Sequence, residues 1–246
     1  MEVQMNFALF SAQGSEMFLR WVHYFAGVVW IGMLYYFNFV QGEWFKELDA
    51  DEKIKSARGI AVRTLVPRAL KWFRFGALFT FLTGTLIMGQ KIGGAGMVEI
   101  MKTSWWAYIA TGALFGTVMF LNVWLVIWPN QKIVIASATQ VAAGGAALPN
   151  AAGAAAKAGL ASRHNTLFSI PMLFMMGAAS HLPSQVNPDY NGWKLAIAIL
   201  ALLGLLELNA LKGKTDNLKI TSIMGVTHMG VALTAILYVV IEVLTK

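Results

Sequence analysis

Six long apolar runs divide the chain and constrain its fold more than any other feature of the sequence. Each is about 17–25 residues long, the length that an α-helix needs to cross the hydrocarbon core of a bilayer. The runs lie at residues 17–41, 69–90, 104–128, 163–182, 192–211 and 220–244. The chain is 57% hydrophobic and only 13% charged, which exceeds what a soluble domain of 246 residues needs for its core. We therefore expect an all-α integral membrane bundle of six transmembrane helices, a single domain over residues 1–246, with the lipid bilayer as a partner.

The basic residues are distributed unevenly between the two sides of such a bundle. With six alternating spans, both ends of the chain share one side, which holds five of the 19 basic residues, whereas the opposite side holds 14. Lysine and arginine concentrate on the cytoplasmic side of membrane proteins. We therefore predict cytoplasmic loops at residues 42–68 and 129–162, both termini outside, and a location in the bacterial inner membrane. The net charge of +7 then reflects topology, so we reject a nucleic-acid partner.

Prolines and loop composition define the predicted ends of several spans. Pro67 is expected to open the second span, Pro129 to close the third and Pro183 to close the fourth. Residues 45–66 are strongly charged, which is typical of a cytoplasmic loop with a short surface helix. Residues 136–161 are rich in alanine and glycine, and we interpret them as a flexible linker, helical at most in part, with no chemistry.

The chain contains no cysteine, which excludes several kinds of redox centre. Disulfides, iron–sulfur clusters, thiolate-ligated haem and covalently attached c-type haem all require cysteine. The sequence also has no glycine-rich phosphate loop, nucleophile–base set or zinc-protease spacing. A metal or haem would therefore have to be held by other side chains.

All four histidines lie within predicted spans and divide equally between the two leaflets. By this topology His23 and His181 form an outer pair, and His164 and His228 form an inner pair. Ionisable groups inside a membrane are costly and usually functional, and a haem b iron can take one histidine from each of two helices. We therefore predict one or two b-type haems ligated by these pairs. Two alternatives remain: a single haem with the other histidines binding substrate or protons, or histidines that only form packing hydrogen bonds.

Other polar residues in or near the spans are candidates for supporting roles. Arg20, Arg74 and Arg163 could meet haem propionates near the two surfaces. Glu207 lies near the cytoplasmic end of the fifth span, where a carboxylate could relay protons or bind a quinol hydroxyl. The alternative is that Glu207 snorkels to the surface or pairs with a lysine.

Four stretches of the sequence resemble a known family. They are LRWVHYFAGVVWIGMLYYFNFVQ (19–41), VPRALKWFRFGALFTFLTG (66–84), GTVMFLNVWLVIWPNQK (116–132) and SRHNTLFSIPMLFMMGAASHLP (162–183). Together they resemble the membrane domain of the bacterial membrane-bound urate oxidases, also called urate hydroxylases. The resemblance covers about residues 17–185 and continues more loosely through the last two spans.

This resemblance implies both an activity and a set of residues. In that family the membrane domain precedes an external cytochrome c domain, which takes the electrons from urate. By matching position, the resemblance singles out His23, His164, Asn165, His181 and His228, and it makes Asn165 a catalytic candidate beside Glu207. This chain is expected to lack the cytochrome c domain because it has no cysteine, and the loop after its first span has no histidine.

Three functional hypotheses follow from the sequence. The first is a membrane redox protein that binds one or two b-type haems and exchanges electrons with a separate cytochrome c or respiratory partner. The second is a membrane-bound urate or purine hydroxylase whose cytochrome c is a separate chain. The third is an accessory subunit that only packs within a larger membrane complex.

Overall fold

The computed structural model describes residues 7–182 and 184–246, and these residues fold into helices joined by short connections. Eight helices and no strand are found in the described residues, which confirms the predicted all-α class. The helices are α1 Ala12–Ala50, α2 Ser56–Thr64, α3 Val66–Ala95, α4 Met97–Met101, α5 Ser104–Ala142, α6 Ala151–His181, α7 Gly192–Lys212 and α8 Ile223–Thr245. Two of them contain a π-helical segment, Tyr36–Gln41 in α1 and Asn122–Ile127 in α5.

Five of the helices, α1, α3, α5, α7 and α8, are long and apolar enough to cross a membrane. These helices indicate a multi-pass membrane protein. The predicted fourth span lies in α6, which is long enough at 31 residues but is less apolar than the other five. The count of six spans and the external side of both termini therefore stay predictions.

The predicted cytoplasmic loops contain much more helix than expected. Helix α1 continues through Gln41 to Ala50, and α2 occupies much of the rest of the loop predicted at 42–68. Pro67 does lie in the first turn of α3, as predicted, and Pro183 lies outside the described residues. Pro129, however, does not close the third span, because α5 runs on to Ala142. The ring of a proline clashes with the carbonyl four residues earlier in a regular α-helix. Here that residue, Leu125, lies in the wider π-helical segment, which accommodates the ring.

The alanine- and glycine-rich segment is not a flexible linker. Residues 136–142 end α5 and residues 151–161 begin α6, in keeping with the high helix propensity of alanine. Besides backbone hydrogen bonds, two side-chain hydrogen bonds hold the turn between them: Leu148 N donates to Ser137 Oγ at 3.0 Å, and Gln140 Nε2 donates to the Ala146 carbonyl at 2.8 Å. The predicted linker therefore extends two long helices beyond their apolar spans.

Helix α6 lies at the centre of the bundle and contacts α1, α5, α7 and α8. Close approach of the backbones depends on glycine at two crossings. A Cβ at Gly76 of α3 would lie 3.0 Å from the Trp30 backbone nitrogen of α1, and a Cβ at Gly112 of α5 would lie 3.2 Å from the Met175 Cβ of α6. Small residues at such positions let membrane helices pack closely. One crossing packs α1 against α3 and the other packs α5 against α6.

Candidate functional site

The two π-helical segments each direct a buried asparagine toward α6. Asn38 Nδ2 donates to Ser162 Oγ at 2.8 Å, and Asn122 Nδ2 donates to Asn165 Oδ1 at 3.0 Å. A π-helical turn changes the direction of the side chains in it and often occurs at functional sites. Ser162 and Asn165 are three residues apart, so they are neighbours along the surface of α6.

His164 is fully buried and both of its ring nitrogens are hydrogen bonded. Nδ1 lies 2.9 Å from the Leu160 carbonyl, which can only accept, so Nδ1 carries the proton. Nε2 therefore accepts the hydrogen bond from Asn209 Nδ2, at 2.8 Å. The same Asn209 nitrogen lies 3.2 Å from the Lys214 carbonyl, so α7 and the turn after it fix the ring of His164.

A second set of polar contacts joins α5, α6 and α7. Asn122 Nδ2 lies 3.0 Å from Glu207 Oε2 as well as from Asn165 Oδ1, and Asn165 Nδ2 donates to the Met119 carbonyl at 2.9 Å. Glu207 is half-buried and therefore faces protein on at least one side. No lysine forms an ion pair with Glu207 in the part of the chain that the structure describes. We call the set Asn122, His164, Asn165, Glu207 and Asn209 the polar network.

A cavity of about 220 Å³ lies between α1, α3, α5 and α6, and the residues that line it on α6 include Ser162 and Arg163, which directly precede His164 in the chain. Its apolar wall includes Phe37 and Phe73, whose ring centroids are 5.6 Å apart at an interplanar angle of 81°. Two lining residues have buried polar atoms without a hydrogen-bond partner, the acceptor Oε1 of Gln41 and the donor Nη1 of Arg163. Such atoms are costly unless a ligand or water satisfies them. The cavity therefore offers one unpartnered cationic donor and one unpartnered amide acceptor beside an aromatic wall.

The outer histidines are arranged differently. His23 is half-buried, and its Nδ1 lies 3.2 Å from Thr83 Oγ1. The Thr83 hydroxyl donates to the Phe79 carbonyl at 2.6 Å, so His23 Nδ1 is the donor in the contact between them. The lone pair of His23 then remains on Nε2. A Cβ at Gly84 would lie 3.0 Å from His23 Cε1, so glycine leaves room for the ring. His181 is exposed at the end of α6, and His228 is exposed on α8.

A haem ligand keeps one ring nitrogen for iron and usually donates the other N–H to a protein acceptor. His23 fits this requirement, because its Nδ1 is held by Thr83 and its Nε2 is not hydrogen bonded within the described residues. His164 does not fit, because Leu160 and Asn209 occupy both nitrogens. The inner pair therefore does not fit a haem ligated by two histidines, because His164 has no free ring nitrogen. Ligation by the outer pair stays a prediction.

The three arginines predicted to bind haem propionates have three different environments. Arg20 lies 2.7 Å from Glu16 Oε1, and Lys91 lies 3.0 Å from the same oxygen. Arg74 lies against the ring of Trp128 at 3.7 Å, and Arg163 lines the cavity. The described residues contain no group of three or more His, Cys, Asp or Glu that could hold a metal ion.

One buried polar cluster was not singled out from the sequence. Tyr108 is fully buried and donates to Glu242 Oε1 at 2.8 Å, while Ser184 donates to the same oxygen and Lys246 lies 2.8 Å from Oε2. The feature of the sequence that could have indicated this cluster is Glu242, a lone carboxylate within the last apolar run. This cluster attaches the segment after α6 to the end of α8.

The geometry can be compared with known proteins. Residues 94–241 match the family model described as urate oxidase N-terminal. The chain belongs to the urate oxidase N-terminal family. No curated protein and no solved structure matches it. The matched segment contains the whole polar network and Arg163, whereas His23, Phe37 and Gln41 precede it. The resemblance seen in the sequence is thus confirmed at the level of the family, and it points to a membrane protein related to urate oxidation.

Proposed function

We propose that this chain is a membrane redox protein that oxidises urate or a related purine and passes the electrons to a separate cytochrome c or respiratory partner. The observation that carries the proposal is the cavity with its unpartnered Arg163 and Gln41, of which Arg163 lies within the family match. Ligand sites for drug-sized molecules are commonly about 300–1,000 Å³. A cavity of about 220 Å³ suits a single small ring system better than a large cofactor.

The polar groups of the cavity suit the chemistry of urate. Urate is a planar anion at neutral pH and carries both N–H donors and carbonyl acceptors. The Arg163 guanidinium would donate to a carbonyl of the anion, and Gln41 Oε1 would accept from a ring N–H. Phe37 and Phe73 would contact the flat ring. Each buried polar atom that now lacks a partner would gain one.

The proposed reaction needs an acceptor for electrons and another for protons. Adding water to urate in a two-electron oxidation gives a hydroxylated purine, two electrons and two protons. The electrons would reduce cytochrome c, one electron for each molecule. We assign the role of proton acceptor to Glu207, the carboxylate of the polar network. Because Glu207 does not line the cavity, the proton would reach it through intervening water.

The proposal includes a b-type haem in the outer half, held through His23 with His181 as the candidate second ligand. Such a haem would supply one-electron transfer between the bundle and an external partner. Thr83 would orient the His23 ring by accepting the Nδ1 proton. A dithionite-reduced minus oxidised spectrum of the purified protein should show a b-type α band that is lost in His23→Ala. A protein expressed with ample haem that shows no such band would refute this part.

The main experiment measures urate-dependent reduction of added cytochrome c by the purified protein, together with equilibrium binding of urate. Arg163→Gln should weaken urate binding about 10- to 100-fold, because a charge-assisted hydrogen bond contributes roughly 1.5–3 kcal/mol. Arg63→Gln, which removes a cation outside the cavity, should bind urate as the wild type does. Binding that is unchanged in Arg163→Gln would contradict the assigned site.

The other two hypotheses predict different results in the same assays. A haem protein without purine chemistry would show the b-type band but neither bind nor oxidise urate. An accessory subunit would show no band and no turnover, and His23→Ala together with His181→Ala would leave its host complex fully active. Either pattern would overturn the purine proposal.

A further inference from the structure

Two cations lie against one tryptophan on the surface formed by α3 and α5, separate from the residues that line the cavity. The Arg74 guanidinium carbon lies 3.7 Å from the centroid of the Trp128 ring, and Lys132 Nζ lies 5.7 Å from the same centroid. Both distances fall within the range of about 6 Å for cation–π contacts. The two charges are therefore less than about 10 Å apart, close to one screening length in physiological salt. Their mutual repulsion is not offset by a carboxylate, because neither forms an ion pair among the described residues.

The same cluster contains two buried N–H donors that have no acceptor. Arg74 Nε and Trp124 Nε1 are both buried without a hydrogen-bond partner, and the Arg74 guanidinium lies 5.9 Å from the Trp124 ring. An unsatisfied buried donor costs about 1–3 kcal/mol. One group with several acceptor oxygens and a negative charge would satisfy both donors and relieve the repulsion between the cations. A phosphate has these properties.

The surroundings of the cluster indicate that the phosphate comes from the bilayer. Phe75, whose ring centroid is 5.4 Å from the Arg74 guanidinium carbon, is 37% exposed, and Leu125, three residues before Trp128, is 68% exposed, so apolar surface adjoins the charges. Arg74 lies eight residues after Val66, which places it roughly 12 Å along α3 from the end of the helix. This end lies on the predicted cytoplasmic side. Arginine and tryptophan at such a depth are typical of contacts with lipid headgroups.

We propose that Arg74, Lys132 and Trp124 form a binding site for the phosphate of an anionic phospholipid in the inner leaflet. Two cations favour a lipid with net negative charge over a zwitterionic lipid, whose ammonium group would be repelled. The lipid tails would then cover the exposed faces of Phe75 and Leu125.

The site can be tested by native mass spectrometry of the full chain in a neutral detergent. Phosphatidylglycerol and phosphatidylcholine with identical tails would be titrated separately. Wild-type protein should bind phosphatidylglycerol at least about fivefold more tightly than phosphatidylcholine. Each cation removed should weaken phosphatidylglycerol binding about fivefold, as expected for a basic residue near an anionic membrane surface. The affinity for phosphatidylglycerol should therefore fall about fivefold in Lys132→Gln. It should fall about 25-fold in the double variant Arg74→Gln, Lys132→Gln.

A matched control removes the same charge on the same predicted side at a distant place. The double variant Lys214→Gln, Lys219→Gln changes the turn between α7 and α8 and should bind phosphatidylglycerol as the wild type does. Equal affinity of the wild type for the two lipids would overturn the proposal. Equal affinity of the control pair and the Arg74/Lys132 pair would do the same. Displacement of the lipid by millimolar inorganic phosphate would assign the cluster to a free anion instead. Because Lys132 is exposed, its single variant keeps the test valid if the Arg74 variant fails to fold.

Discussion

Replacing Asn122 by leucine tests whether the polar network stabilises the bundle. The side chain is 2% exposed, and its amide nitrogen donates to both Asn165 Oδ1 and Glu207 Oε2 at 3.0 Å. Leucine has a similar size but no hydrogen-bond donor. The buried amide oxygen of Asn165 and the half-buried carboxylate of Glu207 would each lose the hydrogen bond from Asn122. A buried acceptor left unsatisfied costs about 1–3 kcal/mol, and Glu207 contributes less because water can reach it. We expect a loss of about 2–4 kcal/mol in the free energy of unfolding.

The assay is thermal unfolding in detergent, followed by tryptophan fluorescence. For a chain of this size about 1 kcal/mol corresponds to roughly 2–4 °C, so Asn122→Leu should lower the midpoint by about 5–15 °C. The matched control is Asn130→Leu in the same helix, because Asn130 donates only to the Val126 carbonyl of its own helix. That control should lower the midpoint by no more than about 3 °C. Equal midpoints for the two variants would refute the idea that the network crosses helices to stabilise the fold.

Two further predictions follow from the structure. Gly76→Ala should destabilise the protein by about 1–3 kcal/mol, since the new Cβ would lie 3.0 Å from the Trp30 nitrogen. The control Gly89→Ala lies in the same helix, and a Cβ there would have nothing within 4 Å. It should leave the free energy of unfolding unchanged or raise it by up to about 1 kcal/mol. A thermal midpoint that is lower in Gly89→Ala than in Gly76→Ala would contradict the close crossing. Glu207→Gln should keep the acceptor for Asn122, and with it the midpoint, while lowering urate-dependent cytochrome c reduction about 10²- to 10⁴-fold. An unchanged rate would remove Glu207 from proton transfer.

The sequence predicted the helical class because the length and apolar character of a span are local properties. It did not predict where helices continue beyond the apolar runs. Residues 42–50 and 130–142 are too polar to be counted as spans, yet they extend α1 and α5. Pro129 appeared to be a stop signal, because a proline in the interior of a helix removes a backbone hydrogen bond and kinks or breaks the helix. The π-helical segment before it has no clear signature in a single sequence.

The pairing of the histidines was predicted from depth alone, and depth does not determine the face of a helix. His164 and His228 lie on the same predicted side of the bundle, yet His164 is fully buried and His228 is exposed. In a soluble protein an apolar stripe would mark the buried face of each helix. In a membrane the lipid-facing side is as apolar as the packed side, so this signal is lost. The cavity could not be predicted for the same reason. Gln41 and Arg163 lie on different helices, and only the fold determines which sides of those helices face each other.

The central position of α6 in the bundle explains why its low hydropathy is tolerated. A helix surrounded by α1, α5, α7 and α8 has little contact with lipid, so polar side chains on it can be satisfied by other helices. The two π-helical segments supply those partners, because each adds Asn38 or Asn122 to a neighbouring position of α6. A regular α-helix in place of either segment would change the rotation of all later residues by about 100° relative to α6. Gln41 would then leave the cavity, and Trp128 would leave Arg74. The irregular turns therefore position residues of both the candidate purine site and the proposed lipid site.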